Sequence, residues 1–260
     1  MSKFSYKYIY IYMTQFHFIT YCTHDMGTFQ ELKNNSLGYD IKVIGWGKPW
    51  KGFLDKYKGM IDHLSDYKDE DVVCFVDGFD VIPKKHVDIF KERFFEMDAP
   101  IIASLHSKTL FSKKVFGTCQ NRKIANSGMY CGYVKAIRNI LHDMVKDGMS
   151  TDDQRNLNAV CKDHDVRVDV EHRLFYNIPH SERFYKKNAS DACFLGSPGQ
   201  LNMERIKRAP KEYGPFIWKE LIAIFIITLI VIKIFQKKKN KFMRMILILS
   251  YLAMLYYLTR

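Results

Sequence analysis

Asp77 and Asp80 stand three residues apart at the end of the apolar run VVCFV (72–76), with Gly78 and Phe79 between them. Two hard oxygen donors at that spacing can hold Mn²⁺ or Mg²⁺. A divalent ion there would serve a diphosphate as Lewis acid and template, stabilising it as a leaving group. In an open α/β sheet, ligands bind beyond the carboxyl ends of the strands, where such a run delivers its charges. The alternative is an Asp-Gly turn that closes a strand, with the second aspartate capping the next segment. A second group is Asn126-Ser127-Gly128, ahead of MYCGY; its glycine permits close approach of backbone to a ligand, and Asn-Ser-Gly is also a common turn. The third is Thr151-Asp152-Asp153-Gln154. Carboxylates at a helix start are expected from capping and the helix dipole. The functional reading is that Asp152 or Asp153 faces an acceptor hydroxyl as base, or orients a sugar. Lys56 lies on a helix face from which it could reach a phosphate, although a lone helix lysine is ordinarily solvated. His24, His86, His106, His164, His172 and His180 show no zinc-type spacing.

The elements that must position these residues follow from periodicity. Segments 16–22, 39–46, 71–83, 99–107 and 166–177 read as strands. Segments 53–67, 87–97 and 151–164 read as helices, and 128–148 as a strand or turn running into a helix. Strands alternating with helices imply an α/β domain with a mainly parallel sheet over 16–213. No internal repeat, G-x-G-x-x-G or P-loop is present.

The chain has 260 residues, 47% hydrophobic and 15% aromatic, enough for one packed domain plus an appendage. Its formal charge of +12 suits a polyanion, a membrane surface or a phosphorylated ligand. No Lys/Arg stripe interleaved with aromatics stands out, so nucleic acid is not the expected partner. The six cysteines form no C-x-x-C pair; Cys22, Cys74 and Cys193 sit in apolar runs and read as buried free thiols. That usage leaves the redox compartment open. Residues 1–15 are a Tyr-rich leader without a signal-peptide cleavage pattern.

From Phe216 the composition changes. Segments 216–235 and 242–258 are almost wholly apolar and flank the basic loop QKKKNK. A helix crossing a bilayer needs about 17–25 apolar residues, and Trp218, Tyr256 and Tyr257 suit the headgroup region. The expectation is a C-terminal transmembrane helical hairpin, with a pair of buried core helices as the alternative. The loop charge places 236–241 in the cytosol, whereas the leader offers no means of translocating the domain, so the side of the membrane stays open.

Taken in order, FITYCTHD (18–25), IGWGKPWKG (44–52), CFVDGFDVI (74–82), NSGMYCGYV (126–134), TDDQ (151–154) and VDVEHRLFYN (168–177) resemble the glycosyltransferase domain of the procollagen lysyl hydroxylase and collagen glucosyltransferase proteins, which has a GT-A fold. The resemblance covers nearly all of 16–213. It implies a Rossmann-like α/β domain, a UDP-sugar donor, Mn²⁺ (or Mg²⁺) at Asp77 and Asp80, and transfer of glucose or galactose to a hydroxyl on a protein or glycan. By position it places Thr20, Thr23 and Phe79 at the nucleotide, with Trp46 and Trp50 near its edge. Lys56 falls near the diphosphate, Asn126, Ser127 and Gly128 at the donor, and Asp152 and Asp153 at the acceptor and transferred sugar. The family places a metal-binding His in a His-Gly-x-Gly stretch after the last strand. Here that stretch is Leu195-Gly196-Ser197-Pro198-Gly199, and His180 is the nearest histidine. This departure opens a second reading, a catalytically impaired nucleotide-sugar or glycan-binding membrane protein of the same fold.

Overall fold

The computed structural model describes residues 14–106, 111–179, 190–197 and 203–236. The chain divides into two compact units, Met1–Ser107 with Phe116–Gln200, and Lys108–Val115 with Leu201–Arg260.

The first unit is a layered α/β domain. Its central sheet contains β1 (Phe16–Tyr21), β2 (Ile41–Ile44), β3 (Val72–Val76), β5 (Ile101–Leu105), β6 (Ala125–Tyr133) and β7 (Val166–Asp169), in the order β2-β1-β3-β6-β5-β7. The β1/β2, β1/β3 and β5/β7 pairs are parallel, and β6 runs antiparallel to both neighbours. A smaller sheet joins β4 (Val81–Pro83), β9 (Phe194–Gly196) and β8 (Phe175–Asn177), with β9 in the middle.

Strand β3 is buried at every position because both faces of the sheet are covered, which is why it reads as an unbroken apolar run. The pleat sends Val73 and Phe75 to one layer and Val72, Cys74 and Val76 to the other. The first layer is filled by α2 (Leu54–Leu64) through Tyr57, Met60 and Leu64, and by α5 (Val134–Met144) through Val134, Ile137, Ile140, Leu141 and Met144. Those spacings put one apolar stripe of each helix on the sheet. Leu157 of α6 (Asp153–Val160) joins the same cluster. On the other side lie α3 (Val87–Met97), with Phe90, Phe94 and Met97, and the small sheet, with Phe175 and Phe194. Each aromatic ring buried there contributes about 1.5–3 kcal/mol. A five-residue helix, α1 (Phe29–Lys33), follows β1, and another, α4 (Ser112–Phe116), falls mostly in the second unit.

Two expected strands prove to be pairs. The run 71–83 breaks at Asp77–Asp80, so β3 and β4 belong to different sheets. The run 166–177 breaks after Asp169, whose buried carboxylate accepts from the backbone N–H groups of Arg173 (3.0 Å), Leu174 (2.8 Å) and Phe175 (2.9 Å). The strand expected within 128–148 starts earlier, at Ala125, and carries Asn126-Ser127-Gly128 inside it. A disulfide joins Cys119 to Cys161; nothing in the cysteine spacing indicates it. Cys22, Cys74, Cys131 and Cys193 are buried free thiols.

The second unit contains α7 (Met203–Gln236), within which Tyr213–Ile230 is long and apolar enough to cross a membrane. Trp218, Phe225, Ile226 and Ile227 on it are exposed. The other expected arm, 242–258, lies outside the described residues, as does nearly all of the 1–15 leader.

Candidate active site

The carboxyl ends of β1 and β3 and the amino end of β6 meet at one edge of the central sheet, because β6 runs against its neighbours. Asp77 follows β3 directly. Its N–H donates to the Gly128 carbonyl at 2.7 Å, so the strand pairing continues one residue into the motif. Its side chain is one-third exposed. A Cβ on Gly128 would stand 2.7 Å from Asp77 Oδ2, so the missing side chain is what lets this carboxylate lie against β6. Gly78 is equally constrained, since a Cβ there would come 1.8 Å from Cys22 Sγ and 2.8 Å from Thr20 Oγ1.

Behind Asp77 lies a buried ion network. The Lys56 ammonium donates to Asp77 Oδ1 at 3.1 Å and pairs with Asp153 Oδ2 at 2.5 Å. Ser127 Oγ donates to the same Asp153 oxygen at 2.9 Å, and the Gln154 N–H donates to the other at 2.8 Å. Lys56 is 4% exposed and Asp153 6%. Lys56 is therefore no solvated helix lysine; it is the bridge between strand β3 and helix α6. Burial acts to discharge it, but Asp153 and Asp77 outweigh burial and hold its pKa above the ordinary value. Asp77 responds the other way: burial raises its carboxyl pKa, Lys56 opposes this, and Asp153 adds to it. The hydroxyls of Tyr57 and Tyr130 are buried nearby, and burial followed by the Asp153 and Asp77 charges keeps both protonated.

The remaining expected residues fall into three groups. Asp80, half-buried, ends the turn, and its carbonyl accepts from the Ser197 N–H at 2.7 Å. The stretch that carries a histidine in the resembling family is thus beside Asp80, with Leu195 and Gly196 in β9. Pro198, Gly199 and His180 lie outside the described residues. Thr23 is half-buried, its hydroxyl 2.9 Å from His24 Nδ1, and the His24 ring lies 5.3 Å from that of Phe79. Thr20 is fully buried beneath Gly78, in the floor under the turn. Asp152 is the N-cap of α6, accepting from the Arg155 N–H at 2.8 Å, so its geometry is that of a cap, while Asp153 turns inward. Trp46 stacks on Phe29 and Trp50 lies against Tyr21, both on the β1 side and both exposed.

Among the described residues no group of three or more His, Cys, Asp or Glu side chains gathers around a common point. Sites of the Mg²⁺ type need only one or two protein carboxylates, the rest of the ligands coming from water and substrate phosphates. Gln154, named from sequence only as the end of the Thr151–Gln154 group, lies 3.3 Å from His106 Nδ1 at the exit of β5, a contact across 48 residues that the sequence does not signal.

The architecture and these motifs coincide with one family of domains. The family model described as PLOD GT domain matches residues 13–190. The chain belongs to this family. The PLOD GT domain is a glycosyltransferase domain, and its match spans every site residue above except those after 190. A curated relative, procollagen-lysine,2-oxoglutarate 5-dioxygenase of Drosophila melanogaster, is 29% identical over 162 residues, covering 54% of this chain. The chain spans only 22% of that relative's length.

Proposed function

We propose that this chain is a metal-dependent hexosyltransferase that moves glucose or galactose from a UDP-sugar to a hydroxyl on a protein or glycan. The observation that carries the reading is Asp77: a partly exposed carboxylate at the exit of the central strand, lying against a glycine and backed by a buried lysine. Asp77 and Asp80 would hold Mn²⁺ or Mg²⁺, whose chemistry there is to neutralise the diphosphate as it leaves. Lys56 supplies a fixed positive charge behind Asp77 and keeps Asp153 in place. Asp153, fixed by Lys56 and Ser127, orients the transferred sugar or the acceptor. Thr23 and Phe79 would border the nucleotide on the β1 side. The relative's name concerns procollagen lysine, so a collagen-type chain bearing 5-hydroxylysine is the first acceptor to try.

The test is calorimetric titration of the full chain in detergent with UDP and Mn²⁺, beside a UDP-glucose and UDP-galactose turnover assay. Asp77→Asn is expected to lower UDP affinity at least tenfold and abolish turnover. Unchanged metal-dependent binding in Asp77→Asn would overturn the assignment. A second reading is favoured by Leu195 and Gly196 beside Asp80, where the family carries a histidine: a binding protein of the same fold. UDP binding without turnover of either donor would select it.

A further inference from the structure

Helix α6 is held in place by polar groups, whereas α2, α3 and α5 present apolar stripes to the sheet. Its buried residues are Asp153, Gln154, Asn156, Leu157 and Asn158, and of these only Leu157 joins the apolar core. Burying a polar side chain costs free energy unless it is hydrogen-bonded, and here each is. Asn156 donates to the carbonyls of Met144 (2.9 Å) and Ser150 (2.7 Å), which ties the helix to the end of α5. The other three grip three successive residues of β6. Asp153 Oδ2 accepts from Ser127 Oγ at 2.9 Å, and Gln154 Oε1 accepts from Asn126 Nδ2 at 2.9 Å. Asn158 takes both backbone groups of Ala125: its Oδ1 accepts from the Ala125 N–H at 2.8 Å, and its Nδ2 donates to the Ala125 carbonyl at 2.9 Å. The same Nδ2 donates to the Gln154 carbonyl, one turn back along the helix, at 2.7 Å.

Two irregularities of β6 open it to this grip. Strand β3 pairs with β6 only as far as Gly128, because the chain turns away after Asp77. Ala125 lies beyond that last rung, and the Asn158 carboxamide stands in for the missing strand. On the other side, the β5–β6 register passes from Ala103–Tyr130 to Ser104–Asn126, so Ser127, Gly128 and Met129 bulge out of the ladder. A bulge re-aims side chains, and here Ser127 meets Asp153. Hydrogen bonds are directional, whereas apolar contact is not. A slip of α6 by one residue would break all three grips at once. At one end of the array Asp153 also pairs with Lys56, and Lys56 with Asp77. We propose that Asn158 is a positioning residue of the transfer reaction, acting through Asp153: it locks α6 in the register that sets this carboxylate between Lys56 and Ser127. Asn158 is 2% exposed and acts at a distance from any substrate. This inference rests on the transferase reading above, in which Asp153 orients the sugar or the acceptor.

Two measurements test it on the full chain in detergent. The first needs no turnover. It is ¹⁵N NMR of the lysine ammonium groups, with the buried Lys56 signal identified by its loss in Lys56→Arg. Asn158→Ser keeps a small hydrogen-bonding side chain that is too short to span both Ala125 groups. It is expected to shift the Lys56 signal or lose it to exchange with water, and an unchanged signal overturns the proposal. The second is kinetic, with Mn²⁺, UDP-glucose and a collagen-like peptide bearing 5-hydroxylysine. Asn158→Ser and Asp153→Asn are each expected to lower kcat about tenfold to a hundredfold, the scale of a group misplaced by about 1 Å. The double variant should be within about twofold of Asp153→Asn, because the two residues act as one unit. Losses that multiply show an independent role for Asn158 and overturn the proposal. UDP affinity in Asn158→Ser should stay within about twofold of wild type; its loss would report damage to the whole domain and overturn the proposal too. Asn158→Gln keeps the carboxamide but moves it out by one methylene. It should bind UDP normally and stay slow, and full kcat in this variant would show that the register does not matter. Loss of UDP binding in Asp77→Asn, measured alongside, shows separately whether the transferase reading stands.

Discussion

At the scale of single residues, Lys56 holds together two carboxylates that would otherwise repel. Lys56→Met leaves the buried Asp153 charge without its cation, and we expect a loss of about 3–5 kcal/mol in urea unfolding at pH 7. The same variant should alter the acid limit of Mn²⁺ binding. Cations bind the ionised carboxylate, and burial already lifts the Asp77 pKa above its ordinary value while Lys56 pulls it down. Removing Lys56 removes the downward pull, so the pH of half-maximal Mn²⁺ binding should rise in Lys56→Met; a fall would refute this account. Asp77, Asp153 and Asn126–Gly128 were legible in the sequence because their types and places beside apolar runs carry meaning by themselves. Lys56 was singled out for its reach to a phosphate, but its pairing with Asp77 and Asp153 was not legible, because it depends on what faces the side chain. Lys56 meets Asp77 across 21 residues.

At the scale of elements, the turn between β3 and β4 is the part that cannot be loosened. Its glycine sits over Cys22 Sγ so closely that Gly78→Ala should cost about 1–3 kcal/mol by overpacking. Trimming the obstacle in Gly78→Ala/Cys22→Ala should return part of that stability, and thermal unfolding of the three variants checks it. Failure of the double variant to recover any would place the strain elsewhere. Most strands and helices were readable from period-2 and period-3.6 patterns. The breaks at 77–80 and after Asp169 were not, since hydrophobic character continues on both sides of each. What divides 71–83 is a change of sheet, and what divides 166–177 is three backbone N–H groups converging on one carboxylate. Neither is a local property of the residues involved. The small strand β9 is three residues long and escaped notice for that reason.

At the scale of the whole molecule, the Cys119–Cys161 disulfide bears on where the chain works. Disulfides persist in oxidising compartments, so we expect the GT domain on the lumenal side of a secretory membrane. The positive-inside tendency of the QKKKNK stretch points the same way. Protease added to sealed microsomes should then leave the domain intact until detergent opens them, and digestion without detergent would reverse the assignment. The crosslink closes a segment with a sequence separation of 42, which in the chain-entropy picture is worth about 4 kcal/mol. Cys119→Ser/Cys161→Ser should lose stability on that scale in chemical denaturation.

That covalent ring has a practical corollary. It encloses β6, α5 and the whole of α6, and the turn at Lys146, Asp147 and Gly148 within it is exposed. A backbone scission at that turn would separate the segment bearing Asn126–Gly128 from the one bearing Asp153 in sequence, yet leave them tethered through sulfur. Nicked protein would migrate as one species on a non-reducing gel and fall into two pieces only after reductant. Tolerance of a break between those two motifs is therefore a property of the oxidised chain alone.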